Sequence, residues 1–160
     1  MTDPALSARV ADFHSAYAEA LNHERFAQWP DFFAHEGPCD YRIVSRENHD
    51  LNLPAPIMGC YTHGMVKDRV AMLIKGALTY RHMYLRHFIT NVRARRLADD
   101  AVAASANLLV MQSDHEGNSS TYMVGRYEDE LLPHGDSFQL RKRLVIIDSF
   151  SIDTALAVPL

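Results

Sequence analysis

From Ala5 to about Arg25 the apolar residues Leu6, Val10, Phe13, Tyr17 and Leu21 recur at steps of three or four, which is one face of an amphipathic helix. Asp3 can cap it, and Pro4 suits the first helical position because its missing N–H has no intrahelical partner there anyway. A second, short helix fits Phe26 to Phe33, with Trp29, Phe32 and Phe33 closing on the first. Asp40 to Ser45 has the β-branched and aromatic content of a strand. From Arg46 to Gly64 no period of 2 or 3.6 survives among Asn48, Asn52, Pro54, Pro56, Gly59 and Gly64, so the pattern predicts a long loop. Such loops inside compact domains usually bind something or are held by a partner.

Helical spacing returns over Met65 to Tyr80, with Val66, Val70, Leu73, Ile74 and Ala77 on one side. Beyond Met83, turn signals at 98–100, 114–118 and 133–136 divide the chain into four runs. Val102, Ala104, Ala106, Leu108 and Val110 alternate with smaller or polar neighbours, as a strand with one buried face should. Helices in front and long hairpins behind argue for an α+β fold: three N-terminal helices packed on a curved, mostly antiparallel sheet. That order of elements is shared with the cystatin-like, NTF2-like cone.

Composition narrows the picture without adding chemistry. The 160 residues, 48% hydrophobic and 22% charged, make one ordinary globular domain spanning 1–160. Sixteen Lys plus Arg against twenty Asp plus Glu leave −4, which gives no net positive field for nucleic acid. Arg93, Arg95 and Arg96 are the nearest thing to a basic patch, facing either solvent or a protein partner. The start has no basic region followed by an apolar run, and no window holds the roughly 18 to 20 apolar residues of a membrane helix. Cys39 and Cys60 are too few to staple the domain. A soluble, reduced, cytoplasmic protein is expected.

The nine histidines raise a metal hypothesis that the spacings do not sustain. His82 and His87 are spaced as in some two-His, one-carboxylate iron sites, but Thr79 stands where the acid would be, and 84–89 reads as strand. Cys60 and His63 make half of a Rieske ligand set, and Cys39-Asp40-Tyr41 supplies no second half. No nucleophile elbow, glycine-rich dinucleotide fingerprint or Walker loop occurs. What is left is acid–base work inside a cone by Asp40, Tyr41 or His87, although a strand histidine is more often a hydrogen-bonded structural residue.

Arg141-Lys142-Arg143 leads into Leu144-Val145-Ile146-Ile147-Asp148. The arginines either pair across strands with acids such as Glu128 or Asp129, or sit at a subunit contact, where arginine is enriched. The apolar ending Ala155-Leu156-Ala157-Val158-Pro159-Leu160 favours the contact.

Taken together, Trp29-Pro30-Asp31-Phe32-Phe33, Asp40-Tyr41-Arg42-Ile43, Asp68-Arg69-Val70, Arg86-His87-Phe88-Ile89-Thr90-Asn91-Val92, Arg143-Leu144-Val145-Ile146-Ile147-Asp148 and the Pro-Leu ending resemble the small (β) subunit of Rieske non-haem iron aromatic-ring hydroxylases. The resemblance implies the cone fold, three β subunits beneath three larger α subunits (α3β3), and β–β contacts. It implies that the Rieske [2Fe-2S] cluster and the mononuclear iron belong to α, with electrons from NAD(P)H arriving through reductase and ferredoxin. It further implies that this chain has no catalytic, cofactor-binding or metal residues, His82, His87, Cys60 and His63 included. Interface residues expected from these readings are Arg86, His87, Arg141, Arg143, Asp148, Val158 and Leu160. Within the family, Glu47 to Tyr61 resembles the salicylate 5-hydroxylase small subunit more than biphenyl or naphthalene dioxygenase partners, which implies a complex converting salicylate to gentisate. Two other readings compete: a free-standing isomerase or dehydratase using Asp40, Tyr41 or His87 in its own cone, and a small-ligand binding or scaffolding module.

Overall fold

A computed structural model describes residues 3–76, 82–149, 152 and 156–160. The first helix, α1 (Pro4–Asn22), begins where Asp3 accepts hydrogen bonds from the amides of Ala5 and Leu6, with Pro4 in the first turn. A 3-10 helix (Phe26–Phe32) follows, then β1 (Asp40–Ser45), α2 (Arg46–Asp50), β2 (Met58–Cys60) and α3 (His63–Ile74). Four long strands complete the fold: β3 (Tyr84–Arg96), β4 (Val102–Ser113), β5 (Ser119–His134) and β6 (Ser137–Ile147). The α+β architecture and the four-strand meander are as the sequence pattern predicts.

The six strands form one sheet in the order β2-β1-β6-β5-β4-β3. Every pairing is antiparallel except β1 with β6, which run parallel. Register shifts interrupt β3 between Thr90 and Arg93, β4–β5 at Val110/Met111, and β5–β6 at Glu130/Leu131. Each extra residue bends its strand and deepens the twist, so the sheet curls into a cone instead of lying flat. On β5 the chain also passes so close to β6 that a Cβ at Gly125 would lie 2.2 Å from the Ile146 carbonyl oxygen, which only glycine tolerates. The core lies on the concave face, where α1 contributes Val10, Phe13, Tyr17 and Leu21.

Two expectations need correction. The stretch 46–64 is not one loop: Ser45 caps the short α2 through the Asn48 amide, and Met58–Cys60 pairs with β1. The three-residue β2 escapes the period-2 pattern because it is too short to show one. The third helix starts earlier than Met65, capped by Thr62 through the Met65 amide, and ends at Ile74 before Gly76 at φ 69°. The remaining part of its expected span, 77–80, lies outside the described residues.

β3 is an edge strand, and part of its outer hydrogen-bonding row is used by the chain itself. The Asp3 amide donates to the Ala94 carbonyl, the Ala94 amide to Ser7 Oγ, and the His87 amide to Asn22 Oδ1. Both ends of α1 are thereby tied to one strand, which also blunts an edge that would otherwise invite another chain.

Candidate functional site

The concave interior is the place where the fold could house chemistry, and its polar side chains are all delivered by regular elements. Strand alternation turns Tyr127 and Asp129 of β5 inward. On β6 the inward residues run Phe138, Leu140, then Arg143, Val145 and Ile147, a step of three because Arg141 is the bulged residue. Without that bulge Arg143 would face out. Helix α1 adds His14 and Tyr17 from its buried stripe, and β1 adds Tyr41.

Arg143 is wholly buried, and two of its three guanidinium nitrogens are engaged inside the protomer. Its Nε and Nη2 donate to the two carboxylate oxygens of Asp129 at 2.9 and 2.7 Å, a bidentate pair. Nη2 also reaches His14 Nδ1 at 3.0 Å, and the guanidinium lies 3.8 Å from the Tyr127 ring centroid and 4.3 Å from that of Tyr17. Burial opposes its charge, but the Asp129 carboxylate and its hydrogen bonds outweigh that and raise its pKa. Burial, with the nearby Arg143 charge adding to it, drives His14 well below the ordinary histidine value, so its Nδ1 is a free acceptor for the arginine. An ion pair this buried needs every satisfaction it can find, since desolvating two charges costs several kcal/mol per ion. The aromatic faces and His14 provide much of it, while Arg143 Nη1 and Tyr127 Oη have no hydrogen-bond partner among the described residues.

The segment 156–160 also enters the interior, with Ala157, Pro159 and Leu160 buried and Leu156 and Val158 partly exposed. The Leu160 side chain is buried in the core, its carbonyl oxygen accepts from Tyr17 Oη at 2.9 Å and Tyr41 Oη at 3.2 Å, and its amide donates to Tyr41 Oη at 2.9 Å. Trp29 Nε1 donates in turn to Tyr17 Oη at 3.0 Å. Burial raises the pKa of Tyr17, and those of Tyr41 and Tyr127 much further, so all three phenols keep their protons. Ala157, Pro159 and Leu160 are thus held inside the protomer, and the burial of Leu160 corrects its reading as a surface contact.

These facts bear directly on the acid–base candidates. Tyr41 spends its hydroxyl on Leu160. Asp40 pairs with Arg42 at the sheet margin, at 2.9 Å. His87 is buried, and Asn22 Oδ1 accepts from its Nδ1 at 2.9 Å. Burial pushes the His87 pKa down to about 4, against the pull of the Pro159 carbonyl and with the Arg143 charge assisting. The three groups do not converge. One groove among the described residues, about 380 Å³, is lined by Phe13, Ala16, Gln28, Asp31, Phe32 and Ser137 among others, and by none of the three.

The metal-type residues are equally dispersed. The Cys60 thiol faces the Met65 carbonyl, His63 Nε2 bonds to the Pro30 carbonyl at 3.0 Å, and His82 bonds to Glu24. Burial pushes Cys39 up to about 11 and raises Cys60 as well, so neither is a ready thiolate ligand. Among the described residues no three His, Cys, Asp or Glu side chains are grouped to hold an ion, and these donors do not fit a Rieske cluster or a mononuclear iron.

The remaining interface candidates divide between surface and interior. Arg86 is exposed on β3; Asp148 is exposed and lies 3.3 Å from Arg46; Val158 is half-buried. Arg141 bonds to Asp99 at 2.8 Å and Glu130 at 3.1 Å, while Arg143 pairs across strands with Asp129, one of the acids expected for this run. Arg143 and His87 are core residues of the protomer, not surface contacts. Sequence reading offered Asp129 as a partner for this arginine run but missed His14, Tyr17 and Tyr127 as the polar group around the pair. The available signal was an isolated histidine and tyrosine on the apolar stripe of α1, three residues apart.

Comparison with known proteins places this geometry. The family model of the ring hydroxylating beta subunit matches residues 16–154. The small subunit of anthranilate 1,2-dioxygenase from Burkholderia cepacia is 31% identical over 144 residues, covering 90% of this chain and 88% of that protein. The terephthalate 1,2-dioxygenase terminal oxygenase subunit beta 2 from Comamonas sp is 30% identical, with 95% and 97% covered. A crystal structure described as the beta subunit of an aromatic-ring-hydroxylating dioxygenase from Novosphingobium aromaticivorans superposes with a TM-score of 0.85 at 33% identity, covering 98% of this chain and 97% of that one. A match along nearly its whole length leads to one conclusion: the chain belongs to the ring hydroxylating beta subunit family.

Proposed function

We propose that this chain is the non-catalytic, structural β subunit of a Rieske-type aromatic-ring hydroxylase complex, a single domain over 1–160. The observation that carries the reading is the filled cone: the interior where a free-standing isomerase or dehydratase would hold substrate is occupied by residues 156–160 and a closed ion pair. The chain's work is then architectural, presenting surfaces to a large α subunit and to other β subunits in an α3β3 assembly. The Rieske [2Fe-2S] cluster and mononuclear iron reside on α, and NAD(P)H supplies electrons through reductase and ferredoxin. Arg86, Arg141, Asp148 and Val158 are the contact residues retained from the sequence reading.

For substrate, the stretch Glu47 to Tyr61 supports salicylate, hydroxylated to gentisate, within aromatic compound degradation. The curated relatives act on anthranilate and terephthalate, which like salicylate are aromatic carboxylates. The complex works in the cytoplasm; no helix among the described residues is long and apolar enough to cross a membrane. The test is co-expression with the α chain of the same organism. Salicylate turnover with gentisate as product supports the substrate reading, and turnover of anthranilate or terephthalate in its place rejects it.

A further inference from the structure

Beside α1, three elements meet around one open groove of about 380 Å³, a size within the range of small-ligand pockets. Helix α1 supplies Phe13, the 3-10 helix supplies Gln28, Asp31 and Phe32, and the start of β6 supplies Ser137 and Phe138. The Phe13 ring stands edge-on to Phe32, at 72° with centroids 5.9 Å apart, and to Phe138, at 88° and 6.3 Å. Tyr17 braces Phe32 in turn, at 5.3 Å and 72°. The aromatic walls are therefore set by core packing before any ligand arrives.

The charge at this groove has one sign. Asp31 is exposed, and its carboxylate has no ion pair or hydrogen bond among the described residues. Its backbone carbonyl accepts from Gln139 Nε2 at 3.4 Å, which ties the residue to β6. Gln28 and Ser137 are neutral. Asp12 and Asp136, both exposed, adjoin Phe13 and Ser137 in the chain and are likewise outside any ion pair among the described residues. The Arg9 guanidinium lies 5.1 Å from the Phe138 ring centroid, so one of these aromatic walls already takes a positive group.

We propose that this groove is a binding site for a small alkylammonium ion, with the ligand's charge set against Asp31 and its alkyl groups against Phe13, Phe32 and Phe138. Aromatic rings attract a cation through their quadrupole, and a quaternary ammonium adds apolar contact to that attraction. A carboxylate ligand would meet Asp31 as a like charge. A bare divalent metal ion would find a single carboxylate, since no other acidic, His or Cys side chain lines the groove among the described residues. A neutral apolar molecule would gain nothing from the Asp31 charge. The site goes beyond the subunit role proposed above and does not depend on it.

Calorimetry and two-dimensional amide NMR of the full chain test the proposal, with choline as the probe. Its controls are neohexyl alcohol, in which carbon replaces the quaternary nitrogen, and benzoate, which reverses the charge. Choline is expected to shift the amides of residues 13, 28, 31, 32, 137 and 138 and to bind about tenfold more tightly than neohexyl alcohol, with benzoate not binding there. Binding should weaken as salt rises, a readout that needs no variant. Asp31→Asn should weaken it about tenfold, and Phe32→Leu should weaken it while leaving the charge in place; circular dichroism establishes that each variant is folded. Absence of choline binding, shifts located elsewhere, equal binding of the neutral alcohol, or an affinity indifferent to both salt and Asp31→Asn would overturn the proposal. Failure of an iron-containing chain to co-purify would instead count against the structural-subunit reading and leave this site unaffected.

Discussion

Arg143 and the arginines of β3 stand on opposite faces of one sheet and show what burial does to the same side chain. Inside, Arg143 has a bidentate carboxylate, a neutral histidine and two aromatic faces, and its removal would strand Asp129 in the core. Outside, Arg86, Arg93 and Arg95 are exposed and have no ion-pair partner among the described residues. An interior cation must be satisfied within the fold, whereas an exterior one is free to be satisfied by another molecule. The inner set therefore reports on stability and the outer set on association.

The largest effect should come from breaking the inner pair. Arg143→Met is expected to cost about 3–5 kcal/mol, since it leaves the Asp129 carboxylate buried and unpaired. Adding Asp129→Leu should recover most of that loss, because two apolar residues need no mutual compensation. Urea unfolding of the three proteins checks both statements, and equal losses in single and double variants would show that the pair is not coupled.

Acid should weaken the interior next. His87, at about 4 in the fold against 6.5 for an unburied histidine, binds fewer protons folded than unfolded. Its stabilising contribution is fully present above about pH 6.5 and is lost as pH falls toward 4, a drop of about 3 kcal/mol. His14 shifts in the same direction and adds to the slope. Thermal melts between pH 7.5 and 4 should show this decline, and His87→Gln should reduce it.

A smaller change probes the anchoring of Leu160. Tyr41→Phe removes the hydroxyl that both serves the Leu160 carbonyl and accepts its amide, and is expected to cost about 1–3 kcal/mol. Hydrogen exchange at Leu160 should accelerate while exchange in β4 and β5 stays slow. Smallest of all, Arg141→Ala on the outer side of β6 should leave the unfolding midpoint within measurement scatter, because its partners Asp99 and Glu130 lie at the solvent-facing margin.

Much of this architecture was legible in the chain. The bounds of β1, the cap and stripe of α1, and the four strands with their turns all follow from local periodicity, which reports faithfully where one face is buried and one is wet. Periodicity failed at β2, which is three residues long between prolines and glycines. It also gave no sign that Arg143 is buried: pairing with Asp129 was one of two readings of the Arg-Lys-Arg run, but only the bulge at Arg141 re-phases β6 and turns that pair inward. Burial of the 156–160 segment was invisible for a related reason. An apolar ending shows that it must be covered, and only the curled sheet decides that the cover is the chain's own interior.

On the proposed function this polypeptide organises an oxygenase without performing its chemistry. A paired measurement tests this: affinity purification of the full chain from cells expressing the α chain, with mass and iron analysis, alongside the same chain purified alone and assayed on salicylate. A larger iron-containing chain is expected in the first preparation, and neither iron nor turnover in the second. Iron held by this chain by itself, or oxidation of an aromatic acid without α, would overturn the structural-subunit role.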